Sequence, residues 1–122
     1  MIEHQLDSQH AILTVRPHAA LEEADFAQLA ATADPFIAQH GGLAGLIIEA
    51  PQFFGWDGLG AMAAHFRFVR DHHRHIRKLA LVTDSPLGDV AEKLVAHFVA
   101  AEVRHFPADQ RSAAVAWIIT GC

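Results

Sequence analysis

The sequence predicts an α/β protein with a central mixed, mostly parallel sheet of about five strands and with about four helices. Short apolar runs such as Leu43–Glu49 and residues 79–83 are typical of strands buried on both faces. Segments with helical spacing separate these runs, and strands that alternate with helices form parallel sheets. The predicted order is ββαβαβαβα.

The N-terminal part predicts a hairpin followed by a long helix. Residues 2–6 and 11–15 are β-prone runs joined by a short polar turn, which favours an antiparallel pair. Apolar residues recur at helical spacing over residues 22–40, and Gly41 predicts the end of that helix. Pro35 lies inside the pattern and predicts a kink or a break, because proline removes a backbone donor.

The middle of the chain predicts a loop and a second helix. Residues 51–56 follow the buried strand, and Asp57 begins the helix. Apolar residues spaced three and four apart predict one inward face. That predicted face consists of Leu59, Met62, Phe66 and Val69.

The C-terminal third continues the alternation. Ser85 predicts a helix N-cap and Pro86 the first helical position of a helix that ends near His97. Residues 102–106 form the last predicted strand, and a final helix starts at residues 107–109. The residues of that helix expected to face inward are Ala113, Ala116, Trp117 and Ile118.

The composition is that of a globular chain. Of 122 residues, 52% are hydrophobic and 19% are charged, which fits one domain and excludes a disordered polypeptide. The apolar runs are too short to cross a bilayer, and the N-terminus lacks the pattern of a secretory signal. The single cysteine, Cys122, has no partner for an internal disulfide. We therefore expect a single cytoplasmic domain spanning residues 1–122.

A basic segment is the main asymmetry of charge. The chain has a net charge of −5, yet residues 65–78 hold five basic side chains and one acid, Asp71. The basic residues are Arg67, Arg70, Arg74, Arg77 and Lys78. On an amphipathic helix they favour contact with an anionic membrane surface, although an ordinary solvated helix face also explains them. Nucleic-acid binding is not expected, because the whole chain is acidic and lacks a nucleic-acid-binding motif.

Metal and catalytic sites find little support in the sequence. His72 and His75 lie three residues apart, but no thiolate cluster or His-Glu-x-x-His motif accompanies them, so no metal is expected. Ser85 and His105 suggest a nucleophile with a base, but Ser85 is explained more simply as a helix cap. Phosphate-binding and dinucleotide-binding glycine motifs are missing, so we expect no cofactor and no enzymatic activity.

Three strings occur in an order that resembles a known family. They are Phe54-Gly55-Trp56 after the third strand, RKLALVTD at residues 77–84, and EVRHF at residues 102–106 followed by residues 113–117. This ordered set is similar to the SpoIIAA-like family, which is related to STAS domains and compared in fold with CRAL-TRIO lipid carriers. The resemblance spans nearly the whole chain. It implies a non-enzymatic role, either binding an apolar ligand or a membrane, or engaging a protein partner.

The resemblance also exposes a difference from the anti-sigma-factor antagonists among STAS proteins. Those proteins carry Asp-Ser-Ser-Gly-Leu at the start of the helix after the third strand, and the serine before the glycine accepts phosphate. Here Gly58 and Leu59 match, whereas Trp56 and Asp57 occupy the serine positions. Because Asp57 has no hydroxyl, we expect no phosphorylation switch there, and Asp57 serves as a charge at the helix N-terminus.

The aromatic loop and the helix after it form the candidate ligand site. In such sheets, ligands bind at the carboxyl ends of the strands, which is where this loop begins. One interpretation is a lid over an apolar pocket or a wedge for a membrane surface, and the other is that the rings complete the core. The candidate ligand or lid residues are Phe53, Phe54, Trp56, Asp57, Leu59, Met62 and Phe66.

The expected function follows from the resemblance and not from composition. We expect a non-catalytic domain that binds an apolar or amphipathic small molecule, with peripheral association with a membrane. The alternative is a STAS-type regulatory domain that engages a protein partner without the usual phosphoacceptor serine. The expected partners are therefore a lipid or apolar small molecule, an anionic membrane surface, or a protein. The sequence leaves homodimerisation open.

Overall fold

A computed structural model describes residues 2–50, 55–85 and 88–121 of the chain. Its strands are β1 (Ile2–Asp7), β2 (Ile12–Pro17), β3 (Leu43–Glu49), β4 (Ile76–Val82) and β5 (Glu102–Phe106). Its α-helices are α1 (Glu23–His40), α2 (Leu59–His72), α3 (Gly88–Phe98) and α4 (Arg111–Thr120), with a short 3-10 turn at His73–His75. Over these ranges the elements confirm the predicted α/β class and element order.

The sheet is mixed, with the spatial order β1-β2-β3-β4-β5. β1 and β2 pair antiparallel, and each later strand pairs parallel to the one before it. Asp7 organises the hairpin turn, since its Oδ1 accepts the backbone N–H groups of Gln9 and His10 at 3.0 and 3.2 Å. The C-terminal ends of the parallel strands therefore meet at one edge, as the sequence predicts.

The sheet separates two apolar cores. On one face α1, α2 and α3 cover the sheet, and the core there includes Phe26, Phe36 and Ala64, with Val95 of α3 packed at its margin. On the other face α4 supplies Ala114, Trp117 and Ile118, which pack on Ile47 and Ala80 of the sheet. The α2 and α3 helices thus lie in the same layer. Among the described helices, none combines the length and apolar character needed to span a membrane.

Both ends of α1 are fixed by hydrogen bonds, from a side chain at the start and from the backbone at the end. At the start, Asp25 accepts the N–H of Glu22 at 2.9 Å and the N–H of Ile2 at 3.2 Å. At the end, Gly41 adopts the left-handed conformation, with φ of 87°, and donates its N–H to Ile37 at 2.7 Å. The helix passes through Pro35 as one segment, so of the expected kink or break only the break is wrong, because buried side chains on both sides of the proline hold the helix on the sheet.

The α4 helix is set into its face of the sheet by three fully buried side chains, Ala114, Trp117 and Ile118. Ala113 is half-buried and Ala116 is exposed, so the expected inward position of Ala116 is wrong. Residue 116 lies two positions from both Ala114 and Ile118, and at 100° per residue this spacing turns it away from the face they share.

Candidate functional site

Residues 55–57 pair with Leu21, which lies between β2 and α1. The Gly55 carbonyl accepts the N–H of Leu21 at 2.8 Å, and the Leu21 carbonyl accepts the N–H of Asp57 at 2.7 Å. These two bonds hold Trp56 in an isolated parallel bridge with Leu21. Phe53 and Phe54, the other rings of the expected lid, lie outside the described residues.

Trp56 packs against the margin of the core. Its Nε1–H donates to Nδ1 of His65 at 3.0 Å, and the His65 ring stacks on Phe26 with centroids 4.9 Å apart. Because Nδ1 accepts a hydrogen bond, the His65 ring is neutral in this arrangement and carries its proton on Nε2. Burial lowers the pKa of His65, which agrees with a neutral ring. For Trp56 the geometry therefore favours the core-packing interpretation.

Asp57 lies before the N-terminus of α2 and does not cap it. The N-cap is Gly58, with φ of 94°, and no side chain makes a capping hydrogen bond there. The helix begins at Leu59, two residues later than expected. Asp57 is exposed, so its carboxylate remains beside the helix N-terminus as a solvated charge.

The face of α2 that meets the protein differs from the prediction. Leu59 is 80% exposed and Phe66 is 56% exposed, while Met62 and Val69 are half-buried. The buried residues of the helix are Ala61, Ala64 and His72. The expected inward position is therefore wrong for Leu59 and Phe66, because α2 lies against its neighbours through Ala61, Ala64 and His72.

A second exposed apolar stripe runs along α3. Val90, Leu94 and Phe98 lie four residues apart, and all three are exposed. The sequence pattern alone does not mark them as a surface, because α3 also carries Ala91 and Val95 on its inner side. The sequence feature that could have revealed this surface is the presence of two apolar stripes on a helix that can bury only one.

The basic residues of the segment divide between the two faces of the sheet. Arg67, Arg70, Arg74 and Arg77 are exposed. Lys78 instead points toward α4, where its Nζ donates to the Trp117 carbonyl at 2.8 Å and lies 5.0 Å from the Trp117 ring centroid. Lys78 therefore stabilises the C-terminal end of α4 and does not form a common surface with the four exposed arginines.

A groove of about 330 Å³ lies between α1 and α2. Its floor contains Phe26, Ala64 and Phe68, and the buried His72 closes one end. Nε2 of His72 lies 2.6 Å from Asp34 Oδ1, and Nδ1 lies 2.7 Å from the Phe68 carbonyl. His72 thus links the two helices, a role that its sequence spacing to other histidines did not suggest. No group of three or more candidate metal ligands occurs within the described ranges.

His105 is engaged in ways that leave it unsuited to activate Ser85. Its Nε2 lies 2.8 Å from the Thr83 carbonyl, and its Nδ1 lies 3.0 Å from Asp89 Oδ1. Both ring nitrogens therefore face acceptors other than the serine hydroxyl. The expected N-cap role of Ser85 depends on Pro86 and Leu87, which lie outside the described residues.

The opposite face of the sheet carries a second open cavity, of about 490 Å³, between the β1–β2 hairpin and the start of α4. Its lining is mixed, with Thr14 on the floor and Arg111 on the wall. Arg111 Nε also lies 3.4 Å from Glu49, which contacts Arg16 at 3.3 Å. The charges of Arg111 and Arg16 beside this cavity are therefore already paired with Glu49.

Comparison with known proteins identifies the fold and the family. An uncharacterised protein of the DUF3478 family with a SpoIIAA-like fold, from Shewanella loihica PV-4, superposes with a TM-score of 0.74, covering 97% of this chain and 92% of that chain at 17% identity. No curated protein matches the chain significantly in sequence. The family model described as SpoIIAA-like matches residues 12–119. Since that match covers most of the chain, as the ordered strings predict, the protein belongs to the SpoIIAA-like family.

Proposed function

We propose that the protein is a non-catalytic domain that binds amphipathic anionic lipid at a membrane surface through the outer face of α2. The observation that carries the proposal is the exposure of Leu59 and Phe66 beside a row of arginines. This proposal keeps the lipid-binding expectation and confines its site to the helix that follows the aromatic loop.

The apolar part of this surface is formed by large side chains that the fold leaves without cover. Leu59 and Phe66 lie seven residues apart on α2 and therefore point to the same side. Transfer of one such side chain from water to an apolar phase contributes about 1.5–3 kcal/mol. The α3 stripe lies in the same helical layer and offers Leu94 and Phe98 as further apolar contacts.

The charged part of the surface lies along the same helix. Arg70 follows Phe66 by four residues and Arg67 lies three residues before Arg70, so both lie beside the apolar pair on α2, and the exposed Arg74 follows in the 3-10 turn. A basic residue near an anionic leaflet contributes about 1 kcal/mol. Arg70 also pairs with Asp71 at 3.0 Å, which reduces the net charge of the row. An amphipathic helix of this kind suits the interface of an anionic membrane.

The test compares vesicles of phosphatidylcholine mixed with phosphatidylglycerol against vesicles of phosphatidylcholine alone. We expect the protein to cosediment with the anionic vesicles and to dissociate as salt is raised. The double variant Leu59→Ser with Phe66→Ser should weaken binding at least about tenfold. Arg70→Gln should weaken it about fivefold.

Matched controls lie on the other face of the molecule. Ile119→Ser removes a 47% exposed apolar side chain from α4, and Arg104→Gln removes an exposed charge from β5. Neither should change vesicle binding. An equal loss of vesicle binding in the α2 variants and the controls would contradict the proposal. Wild-type protein that does not bind anionic vesicles would contradict it as well.

The regulatory alternative draws on the start of the same helix. Asp57 is exposed two residues before Leu59, at the position that corresponds to the phosphoacceptor serine in the resemblance to STAS proteins. A protein partner that recognises a fixed carboxylate there would lose affinity for Asp57→Ala. Vesicle binding would be unaffected or slightly strengthened by that variant, because it removes a negative charge. The variant therefore separates the two functions.

A further inference from the structure

The α3 helix is held on the sheet by little apolar packing. None of residues 89–98 is fully buried, and the inner side of the helix offers only half-buried residues such as Ala91 and Val95. Its larger apolar residues point to solvent, with Phe98 at 76% exposure. Polar contacts to β5 must therefore contribute a larger share of its attachment than they do for the other helices.

Those polar contacts converge on His105 of β5. The His105 backbone N–H donates to Glu92 Oε2, and Nδ1 of the ring lies 3.0 Å from Asp89 Oδ1 in the first turn of α3. On its other side, Nε2 lies 2.8 Å from the carbonyl of Thr83, which follows β4. One side chain thus joins the end of β4, the strand β5 and the start of α3.

The two partners of the ring are both acceptors. A neutral imidazole has one N–H and can satisfy only one of them, whereas the charged ring donates to both. Asp89 and Glu92 of α3 are the charged groups that face His105 among the described residues, while the nearby Asp84 carboxylate accepts the N–H of Ala108 instead. The Thr83 carbonyl, then the Asp89 carboxylate and the charge of Glu92, raise the pKa of His105.

Deprotonation must break one of the two ring bonds. The hydrogen bond to the Thr83 carbonyl is partly buried, so losing it would leave that carbonyl oxygen poorly hydrated and without its His105 partner. Asp89 has a side chain that is 82% exposed and rehydrates readily when released. The remaining proton therefore stays on Nε2, and the bond to Asp89 is the one that is lost.

We infer that His105 is a pH-responsive clasp that holds the first turn of α3 when its ring is charged and releases it when the ring is neutral. The hydrogen bond from the His105 backbone N–H to Glu92 does not depend on the charge of the ring, so α3 stays attached to β5 at Glu92 after release. Release loosens the end of α3 that precedes Val95 and opens access to the half-buried Val103 of β5. The inference stands apart from the proposed lipid surface, since it concerns the inner side of α3.

The sign of the effect follows from the direction of the pKa shift. A histidine whose folded pKa is raised binds its proton more tightly in the folded state than in the unfolded state. The stabilisation is fully present below the unfolded pKa, about 6.5, and is lost as the pH rises through the higher folded value. Mild acid therefore tightens α3, and mild alkali loosens it.

The experiment is amide hydrogen exchange of the full chain across this pH range, corrected for the intrinsic exchange rate. We expect the protection of α3 amides to fall by about two- to fivefold as the pH rises, while α4 amides keep theirs. In His105→Gln this pH dependence should vanish. The matched control His97→Gln changes an exposed histidine of α3 itself, and this variant should keep the pH dependence of α3 protection.

A second variant covers the case in which His105→Gln perturbs the fold. Asp89→Asn lies on the surface and keeps an acceptor, but it removes a charge that favours the protonated ring. The midpoint of the α3 transition and the NMR titration of the His105 ring should both move to lower pH. Constant α3 protection in the wild type, or an unchanged midpoint in Asp89→Asn, would overturn the inference.

Discussion

The helices α3 and α4 are similar in length and rich in apolar residues, yet they are attached to the sheet in different ways. In α4, Ala114, Trp117 and Ile118 are fully buried. In α3, no residue from 89 to 98 is fully buried, and the His105 clasp supplies polar contacts instead. Apolar content alone therefore does not determine how firmly a helix is anchored; what matters is whether the sheet provides a complementary surface.

Gly45 shows how the sheet is shaped to receive α4. A Cβ atom at Gly45 would lie 2.5 Å from Ile118 Cδ1 and 2.6 Å from its Cγ2, far closer than atoms pack. The missing side chain on β3 is thus the space that Ile118 occupies. We find no equivalent fit under α3 within the described part of the chain, where the inner residues stay half-buried.

The largest effect is expected from the anchor of α4. Trp117→Ala should reduce the free energy of unfolding by about 3–5 kcal/mol, because it removes a large buried ring and leaves a cavity. Val95→Ala on the inner side of α3 should reduce it by about 1 kcal/mol, since that side chain is only half-buried. Urea denaturation of both variants measures the difference. Similar losses would show that the two helices are anchored alike.

The next effect concerns the fit between β3 and α4. Gly45→Ala should reduce the free energy of unfolding by about 1–3 kcal/mol, because the new methyl group overlaps Ile118. Adding Ile118→Val removes the Cδ1 atom that the methyl group meets most closely. Denaturation of the double variant should therefore show less destabilisation than the sum of the single changes. Strictly additive losses would contradict a direct contact.

Much of the fold could be predicted because the strands are distinctive in sequence. The runs at Leu43–Glu49 and 79–83 supply the apolar parts of the interior strands β3 and β4, which a pattern of residues alone reveals. Gly41 marked the end of α1 because only its backbone adopts the required left-handed conformation without strain. These features are local, so the sequence contains the information directly.

The orientation of α2 could not be predicted, because its apolar residues fit two faces. One set is Leu59, Met62, Phe66 and Val69, and the other includes Ala61, Ala64 and Phe68. The periodicity is the same for both, and larger side chains favoured the wrong choice. Contacts distant in sequence decide the outcome, among them the pairing of His72 with Asp34. The separation of Lys78 from the arginines likewise depends on α4, which the run of basic residues does not reveal.

The smallest effect is expected at the outer side of α3. Phe98→Ser should change the free energy of unfolding by no more than about 0.5 kcal/mol, because the ring is 76% exposed and few contacts are lost. Thermal or urea denaturation at two protein concentrations measures this change. A loss well above that value that grows with protein concentration would show that Phe98 is covered by a second copy of the chain. A large loss at every concentration would instead mean that α3 packs against its own chain through this ring, and the contrast with α4 would then disappear.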